Sequence, residues 1–168
     1  MLALLALAAT ALSACTPTPE PTPTPTAAFA SEEEAFAAAE EVYRDYIDAS
    51  SSVDYADPDT FEALDAFTTG SYQADEREGL STMYAEGNSR TGEIKVVWFR
   101  GVEIEDESTI RARTCNDVSG TAVFDKDGAS LVPDDRPSHY AIDLVFVVEQ
   151  QEVLISTSQA VEDSTCGG

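Results

Sequence analysis

The sequence predicts an α+β fold, in which N-terminal helices pack on one face of a curved, cone-like antiparallel sheet of about five strands. Two observations support this prediction. Apolar residues recur at helical spacing between residues 32 and 85, and from residue 93 onwards they alternate with polar residues at the period of a strand. Short clusters of Gly, Asp and Ser separate the strand-like runs, as they do in antiparallel hairpins.

The first helix is expected from residue 32 to about residue 49. Ser31 and Glu34 have the spacing of a capping box, which satisfies free backbone N–H groups at the start of a helix. The apolar stripe of this helix comprises Phe36, Ala39, Tyr43, Tyr46 and Ile47.

Asp57 and Pro58 predict the start of a second helix, because Asp caps helices and Pro favours their first turn. Gly70 is expected to end this helix. A third helix is expected from about residue 72 to residue 85, with Gly87 after its end. The residues expected to face inward from these two helices are Phe61, Leu64, Phe67, Leu80, Met83 and Tyr84.

Five strands are expected, over residues 93–104, 109–118, 121–124, 140–148 and 153–161. Alternation places one set of residues of the first strand on a common face, namely Ile94, Val96, Trp98, Val102 and Ile104. Gly101 predicts a bulge or bend within that strand. In the second strand, Cys115 is expected on the face opposite Ile110 and Ala112.

The first eleven residues are uncharged and mostly apolar, and such a run is too short to span a bilayer. It fits the apolar region of a secretory signal peptide. The residues that follow, Leu12-Ser13-Ala14-Cys15, resemble the lipobox of bacterial lipoproteins. That resemblance implies cleavage before Cys15 and attachment of a diacylglyceryl group, with acyl chains such as palmitate, to its sulfur. The alternative is an ordinary signal peptide whose cleavage site contains a Cys.

Residues 16–26 alternate Thr or Glu with Pro, which predicts an extended spacer of roughly 30–40 Å. We therefore expect a signal peptide over residues 1–14, a lipidated Cys15 with a Pro/Thr-rich linker over residues 15–30, and one α+β domain over residues 31–168. The domain would lie outside the cytoplasm, held by lipid at the outer face of the cell membrane. Rare Lys and abundant Ala favour a GC-rich, Gram-positive bacterium.

The formal net charge is −23, from 9 basic and 32 acidic side chains. This charge argues against nucleic acid as a partner, because phosphate binding requires a basic surface. An anionic membrane surface would also repel the domain, so the lipid on Cys15 must hold it there. The acidic helical half is either a solvated surface or a surface that attracts cations or a basic partner.

After Cys15, two cysteines remain, Cys115 and Cys166. An even pair in an exported domain favours a disulfide over two free thiols, and neither Cys has a neighbouring Cys or His with which to hold a metal. His139, the single histidine, is interpreted as a partly exposed residue at a strand start. Residues 125–128 are interpreted as a hairpin turn, although they also resemble a fragment of a calcium loop. The sequence predicts no metal, no cofactor and no catalytic motif.

The sequence resembles small actinobacterial lipoproteins with the nuclear-transport-factor-2-like, cystatin-like cone fold. The shared features are helices followed by strands, a first helix rich in Tyr, and one Cys in a strand with another near the C-terminus. The segments Arg111–Ser119 and Phe124–Gly128 carry most of this resemblance. It implies a cone with an apolar cavity between helices and sheet.

Tyr46, Trp98 and Tyr140 are the candidate lining residues of such a cavity, although packing in the core also explains each of them. The leading hypothesis is a non-catalytic, lipid-anchored surface protein that binds a small apolar ligand or an envelope partner. The alternative, implied by the polyketide cyclases and ketosteroid isomerases among such cones, is an isomerase- or cyclase-like enzyme acting on an apolar substrate.

Overall fold

The computed structural model describes residues 29–167. The expected signal peptide, Cys15 and the linker up to residue 28 lie outside the described residues, so lipidation stays a prediction. Within residues 29–167, no helix is long and apolar enough to cross a membrane.

The described residues form three helices followed by six strands. The helices are α1 (Glu32–Ser51), a 3₁₀ helix (Pro58–Ala66) and α2 (Gly70–Glu86). The strands are β1 (Ser89–Thr91), β2 (Lys95–Asp106), β3 (Thr109–Asp117), β4 (Ala122–Phe124), β5 (His139–Glu149) and β6 (Glu152–Val161).

Four strands form the main antiparallel sheet, in the order β2-β3-β5-β6. All five predicted strands are present, and the predicted α+β fold with helices on an antiparallel sheet is confirmed. The short strand β4 does not join the main sheet. It pairs instead with β1, a strand that the sequence analysis did not predict, in a separate two-stranded sheet.

The start of α1 follows the predicted capping pattern. The Ser31 hydroxyl accepts a hydrogen bond from the Glu34 N–H at 3.2 Å, and the Glu34 carboxylate accepts one from the Ala30 N–H at 2.8 Å. The face that α1 turns to the sheet is buried and comprises Ala35, Ala39, Tyr43, Tyr46 and Ile47.

The predicted start of the second helix at Asp57 and Pro58 is confirmed, but the prediction that Gly70 ends it is wrong. The helix is of the 3₁₀ type and stops at Ala66, because the next residues pair with β6: Ile155 N–H donates to the Phe67 carbonyl, and Thr69 N–H donates to the Ile155 carbonyl. Gly70 is the first residue of α2 and has a positive φ of 64°.

Tyr84, which was expected to face inward, is instead 50% exposed. Helix α2 contacts β6 and the 3₁₀ helix, and no residue of α2 is fully buried. In its last turn, the side that carries Tyr84 is therefore exposed to solvent, whereas Met83 is half-buried.

The prediction that Trp98 and Val102 share a face with Val96 is wrong. The register of β2 against β3 shifts between Val96 and Trp98, and again after Gly101. Each extra residue reverses the facing of the side chains that follow it. Trp98 consequently lies opposite Cys115 on the outer face of the sheet, the face turned away from α1, and Val102 is 62% exposed.

Aromatic rings fill the space between α1 and the inner face of the sheet. The ring centroids of Tyr43 and Phe99 are 6.0 Å apart, and those of Phe99 and Phe146 are 6.2 Å apart. Tyr46 extends this cluster to Phe67 at 6.5 Å. Aromatic pairs at these separations contribute about 0.5–1.5 kcal/mol beyond their burial.

The predicted disulfide is confirmed: Cys115 and Cys166 are bonded, with Cα atoms 5.4 Å apart. The bridge holds the C-terminal strap, residues 162–167, against the outer face of the sheet. Arg113 donates to Asp163 at 3.3 Å, and Trp98 Nε1 donates to the Thr165 carbonyl at 3.4 Å.

Two further segments have the geometry of ordinary surface structure. The Asp125 carboxylate accepts the backbone N–H groups of Asp127 and Ala129, which is the bonding of a turn, and Gly128 has a φ of 83°. At the start of β5, the Ser138 hydroxyl lies 2.9 Å from His139 Nδ1. Within residues 29–167, no group of three or more His, Cys, Asp or Glu side chains is placed to hold a metal ion.

Candidate functional site

A cleft of about 260 Å³ opens between the end of α1, the 3₁₀ helix and α2. We call it the helical cleft. Its apolar walls come from Val53, Tyr55, Leu64, Leu80 and Met83. Two charged side chains, Glu76 of α2 and Arg90 of β1, also line it. Its volume is slightly below the range of pockets for drug-sized ligands, so the cleft suits a small molecule.

Glu76 is fixed by a chain of hydroxyl groups. Tyr46 Oη donates to Glu76 Oε1 at 2.6 Å, and the Tyr46 and Tyr72 hydroxyl oxygens are 2.8 Å apart. Because Tyr46 has only one hydroxyl proton, Tyr72 must be the donor to Tyr46. Thr68 Oγ1 lies 3.4 Å from Glu76 Oε2. The carboxylate is thereby held mainly through Oε1, because Thr68 has a single hydroxyl proton and also reaches the Leu64 carbonyl at 3.1 Å.

The sequence places these groups by simple helical spacing. Tyr72 and Glu76 are four residues apart on α2, so both side chains lie on the same side of the helix. Tyr46 belongs to the buried face of α1, and its ring packs against Phe67. The carboxylate is therefore connected directly to the aromatic core.

Burial shifts the pKa values of this cluster upwards. It raises the pKa of the Glu76 carboxyl above its ordinary 4.5, while the hydrogen bonds from Tyr46 and Thr68 oppose that shift. Burial, together with the neighbouring Tyr72 and Glu76, raises the pKa of Tyr46, so its hydroxyl keeps its proton at neutral pH.

Arg90 closes another side of the cleft. Its guanidinium carbon lies 5.8 Å from the centroid of the Tyr55 ring, and its Nη2 donates to the carbonyl of Ser50 in the last turn of α1. That turn contains no basic residue of its own, so Arg90 supplies the positive charge that a helix C-terminus favours. In the part of the chain that the structure describes, neither Arg90 nor Glu76 forms an ion pair.

Gly79 lies in the middle of α2 and lines the same cleft. It has no positive φ, and a Cβ atom added to it would meet nothing within 4 Å. Neither backbone conformation nor close packing therefore requires Gly at this position. A Gly in a helix interior costs about 0.5–1 kcal/mol relative to Ala.

None of the three predicted lining residues lines the helical cleft, and Tyr46 is connected to it only through its hydrogen bond to Glu76. The outer-face residue Trp98 has the Arg100 guanidinium carbon 4.1 Å from its ring centroid. Tyr140 lies near the start of β5, beside a different depression next to the C-terminal strap. The structure does not bring these three side chains together.

The interior holds a second polar cluster that the sequence analysis did not identify. Asn116 Nδ2 donates to Tyr43 Oη at 2.7 Å, and Thr114 Oγ1 donates to the Trp98 carbonyl at 3.0 Å. Within residues 29–167, no buried side-chain nitrogen or oxygen lacks a hydrogen-bond partner. This cluster is satisfied internally, so it offers no free polar group to a ligand.

Glu76 and Arg90 were also missed by the sequence analysis. The four-residue spacing of Tyr72 and Glu76 was an available signal for a polar cluster on α2. No local pattern marks Arg90, because its place in the cleft depends on the pairing of β1 with β4.

Comparison with known proteins finds similarity in structure alone: no protein-family model and no curated protein sequence matches the chain. Three solved structures share its fold. The intermembrane-space region of the chloroplast protein ARC6 has a TM-score of 0.54 and 12% identity, covering 76% of this chain and 97% of that one. A Novosphingobium aromaticivorans protein assigned as an aromatic ring hydroxylase has a TM-score of 0.52 and 13% identity, with coverage of 78% and 96%. The transfer protein TraH of the Gram-positive conjugative plasmid pIP501 has a TM-score of 0.50 and 7% identity, with coverage of 76% and 94%.

The chain has the fold of these domains. Together with the helices packed on a four-stranded antiparallel sheet, the likeness supports the α+β cone that the sequence resemblance implied. At these identities the shared property is the fold, and the argument for function comes from the helical cleft itself.

Proposed function

We propose that this chain is a non-catalytic, lipid-anchored protein of the outer face of the cell membrane, and that its domain binds a small, largely apolar molecule in the helical cleft. The anchor follows from the lipobox-like Leu12-Ser13-Ala14-Cys15 and the Pro/Thr-rich linker behind it. Binding follows from the cleft, which has apolar walls and a few fixed polar groups, as small-molecule sites generally do.

The observation that carries the binding proposal is Gly79. It weakens α2 without serving its packing or its backbone conformation. Gly79 lines the cleft and the space beside it is open, so a larger side chain at this position has room at the edge of the cleft. The stability cost of Gly79 is explained if the open space beside it is where the ligand binds.

Binding is favoured over catalysis because the groups hydrogen-bonded to Glu76 are the hydroxyls of Tyr46 and Thr68, which hold its carboxylate in place. The residues that line the cleft include no histidine, cysteine or lysine. The hydroxyl groups of Tyr46 and Thr68 also oppose the rise in the pKa of Glu76 that burial causes, so the carboxylate is a weaker base than burial alone would make it. The cleft is therefore better suited to hold a ligand than to take a proton from one.

A cone-fold enzyme of the isomerase or cyclase kind is the second candidate, and the raised pKa of Glu76 favours it. Glu76→Gln separates the two functions. This substitution would abolish turnover by an enzyme that uses Glu76 as its base, whereas a binding protein would keep its affinity for an uncharged apolar molecule.

Binding in the cleft can be tested with Gly79→Leu, which places an isobutyl group in the open space. Small neutral apolar probes, p-cresol and indole, should show saturation-transfer NMR signals with the wild type and lose them with this variant. Ser81→Leu is the matched control, because Ser81 is an exposed residue of the same helix outside the cleft. Equal signals from the wild type and Gly79→Leu would contradict the proposal.

The anchor can be tested independently with Cys15→Ala. The variant should remain uncleaved or be released into the medium, because no acylated Cys holds it to the membrane. Detergent phase partition and intact-protein mass measurement would show the change. The anchor is refuted if the variant partitions with membranes as the wild type does.

A further inference from the structure

We propose that the ligand of the helical cleft is a small zwitterion with an apolar side group, of the class of an apolar amino acid. Its cationic group would bind Glu76 and its anionic group would bind Arg90. This inference rests on the proposed binding function and adds the chemistry of the ligand.

The cleft presents one charge of each sign. Glu76 and Arg90 line the same space, yet they do not pair with each other or with another charged residue of the described chain. Apolar side chains, including Leu80 and Met83, line the same cleft. Two opposite charges that do not pair with each other, in a cleft with apolar walls, are complementary to a zwitterion with an apolar body.

Desolvation favours this ligand over an uncharged one. A neutral apolar molecule in the cleft would gain contacts with the apolar walls but would remove water from both charges without pairing either, so it should bind more weakly. A zwitterion would replace that water with charge-assisted hydrogen bonds at both ends, which are about twice as strong as neutral ones.

Both side chains retain hydrogen-bonding capacity for such a ligand. Each oxygen of the Glu76 carboxylate can accept two hydrogen bonds, and Oε1 and Oε2 each have one neighbouring hydroxyl. Arg90 has five N–H donors, of which one reaches the carbonyl of Ser50. The remaining fork of N–H groups suits the two oxygens of a carboxylate.

The net charge of the whole protein further limits the kind of ligand that can bind. With a formal net charge of −23, the chain repels molecules with a net negative charge. A zwitterion carries no net charge, so it is not repelled, and its anionic group can still bind Arg90. The volume of about 260 Å³ matches a single amino acid better than a larger zwitterion.

The test uses four probes that share one side chain: leucine, leucinamide, N-acetylleucine and N-acetylleucinamide. The second lacks the carboxylate, the third lacks the ammonium group and the fourth lacks both. Calorimetric titration of the wild type should give the tightest binding for leucine and at least tenfold weaker binding for each of the others.

Two variants assign the charges to their partners. Glu76→Gln should abolish the preference for leucine over N-acetylleucine, and Arg90→Met should abolish its preference over leucinamide. Because Arg90 also supports the end of α1, thermal melting must show that its variant is folded, and Arg90→Lys should retain part of the preference. Glu78→Gln and Arg100→Met remove matched charges outside the cleft and should leave all four affinities unchanged.

The possible results separate this inference from the proposed function. If N-acetylleucinamide or p-cresol binds the wild type as tightly as leucine does, the zwitterion inference is wrong and the apolar cleft stands. If leucine binds equally to the wild type and Gly79→Leu, the assigned site is wrong. If none of the four probes, p-cresol or indole binds, both the inference and the proposed function fail.

Discussion

Loss of the disulfide between Cys115 and Cys166 should have a large and local effect, and Cys166→Ala tests this directly. The two cysteines are 51 residues apart. In the loop-entropy treatment, a closed loop of this length stabilises the folded state by about 4 kcal/mol. An unfolding entropy of about 2.1 cal/mol/K per residue gives roughly 0.3 kcal/mol/K for the domain, so the melting temperature should fall by roughly 14 °C.

The structural consequence should be confined to the C-terminal strap. Without the bridge, residues 162–167 are held by the Arg113–Asp163 ion pair, the Trp98–Thr165 hydrogen bond and the contact of Gly167 with His139. Exposed ion pairs contribute at most about 1 kcal/mol, so the strap should detach. Strand β6 should remain, because its pairing with β5 continues to Val161 independently of the bridge.

Thermal melting by circular dichroism and amide hydrogen exchange would measure the two effects. The double substitution Cys115→Ala/Cys166→Ala is the control, since it should match the single variant if the bridge alone matters. A fall in melting temperature below about 3 °C would refute the entropic magnitude. Loss of exchange protection in β3 and β5 as well as in the strap would refute the local character of the effect.

Three further predictions concern stability. Burial raises the pKa of Glu76 in the folded protein, so the folded state binds this proton more tightly than the unfolded state and loses stability as the pH rises above about 4.5. Glu76→Gln should therefore stabilise the protein at neutral pH, and denaturant titrations should show the difference vanishing below about pH 4.5. Gly101→Ala should destabilise the protein by about 1–3 kcal/mol, because the new Cβ would overlap the ring of Phe36. Equal chemical denaturation of the variant and the wild type would contradict this. Replacing Gln150-Gln151, whose φ angles are 52° and 75°, by Asn-Gly should raise the melting temperature, because these residues favour positive φ in a two-residue hairpin turn; an unchanged melting curve would show that the Gln pair is not strained.

The features that were predicted well from the sequence depend either on residues close together in the chain or on the cellular compartment that we expect for the protein. The cap of α1 depends on Ser31 and Glu34, which are three residues apart: the Ser31 hydroxyl makes the predicted hydrogen bond, and the Glu34 carboxylate bonds the N–H of Ala30, one residue before the cap. The disulfide was predicted from the count of cysteines in a domain that we expect to be exported, without any knowledge of distance. Both predictions used rules that do not depend on tertiary packing.

The facing of β2 could not be predicted, because it depends on where the strand bulges. The alternation of Val96, Trp98 and Val102 assumes an unbroken period of two, and each register shift against β3 reverses it. Gly101 was correctly interpreted as a bulge signal. The shift beside Val97 has no such signal in the sequence, and it is the one that moves Trp98 to the outer face.

The helical cleft could not be predicted from the sequence for a related reason, because its residues meet only through tertiary packing. Its charged residues come from α2 and β1, and the Ser50 carbonyl that holds Arg90 lies 40 residues before it in the chain. Tyr46 was predicted as a cavity residue for its aromatic ring, but its hydroxyl is what connects it to Glu76 across 30 residues. Periodicity identifies which residues face inward, and it does not identify which of them meet.

The position of Glu76 links the rigid core to the proposed binding site. Its carboxylate is oriented by Tyr46, whose ring is fixed in the core against Tyr43 and Phe67. A side chain that is locked by packing and hydrogen bonds loses little freedom when a ligand binds, so more of the interaction energy appears as affinity. Burial of Glu76 and the presence of Gly79 in a helix both lower the stability of the fold, and both occur at this one cleft. Proteins tolerate residues that lower folding stability mainly at functional sites, which is a physical reason to look for the ligand in the helical cleft.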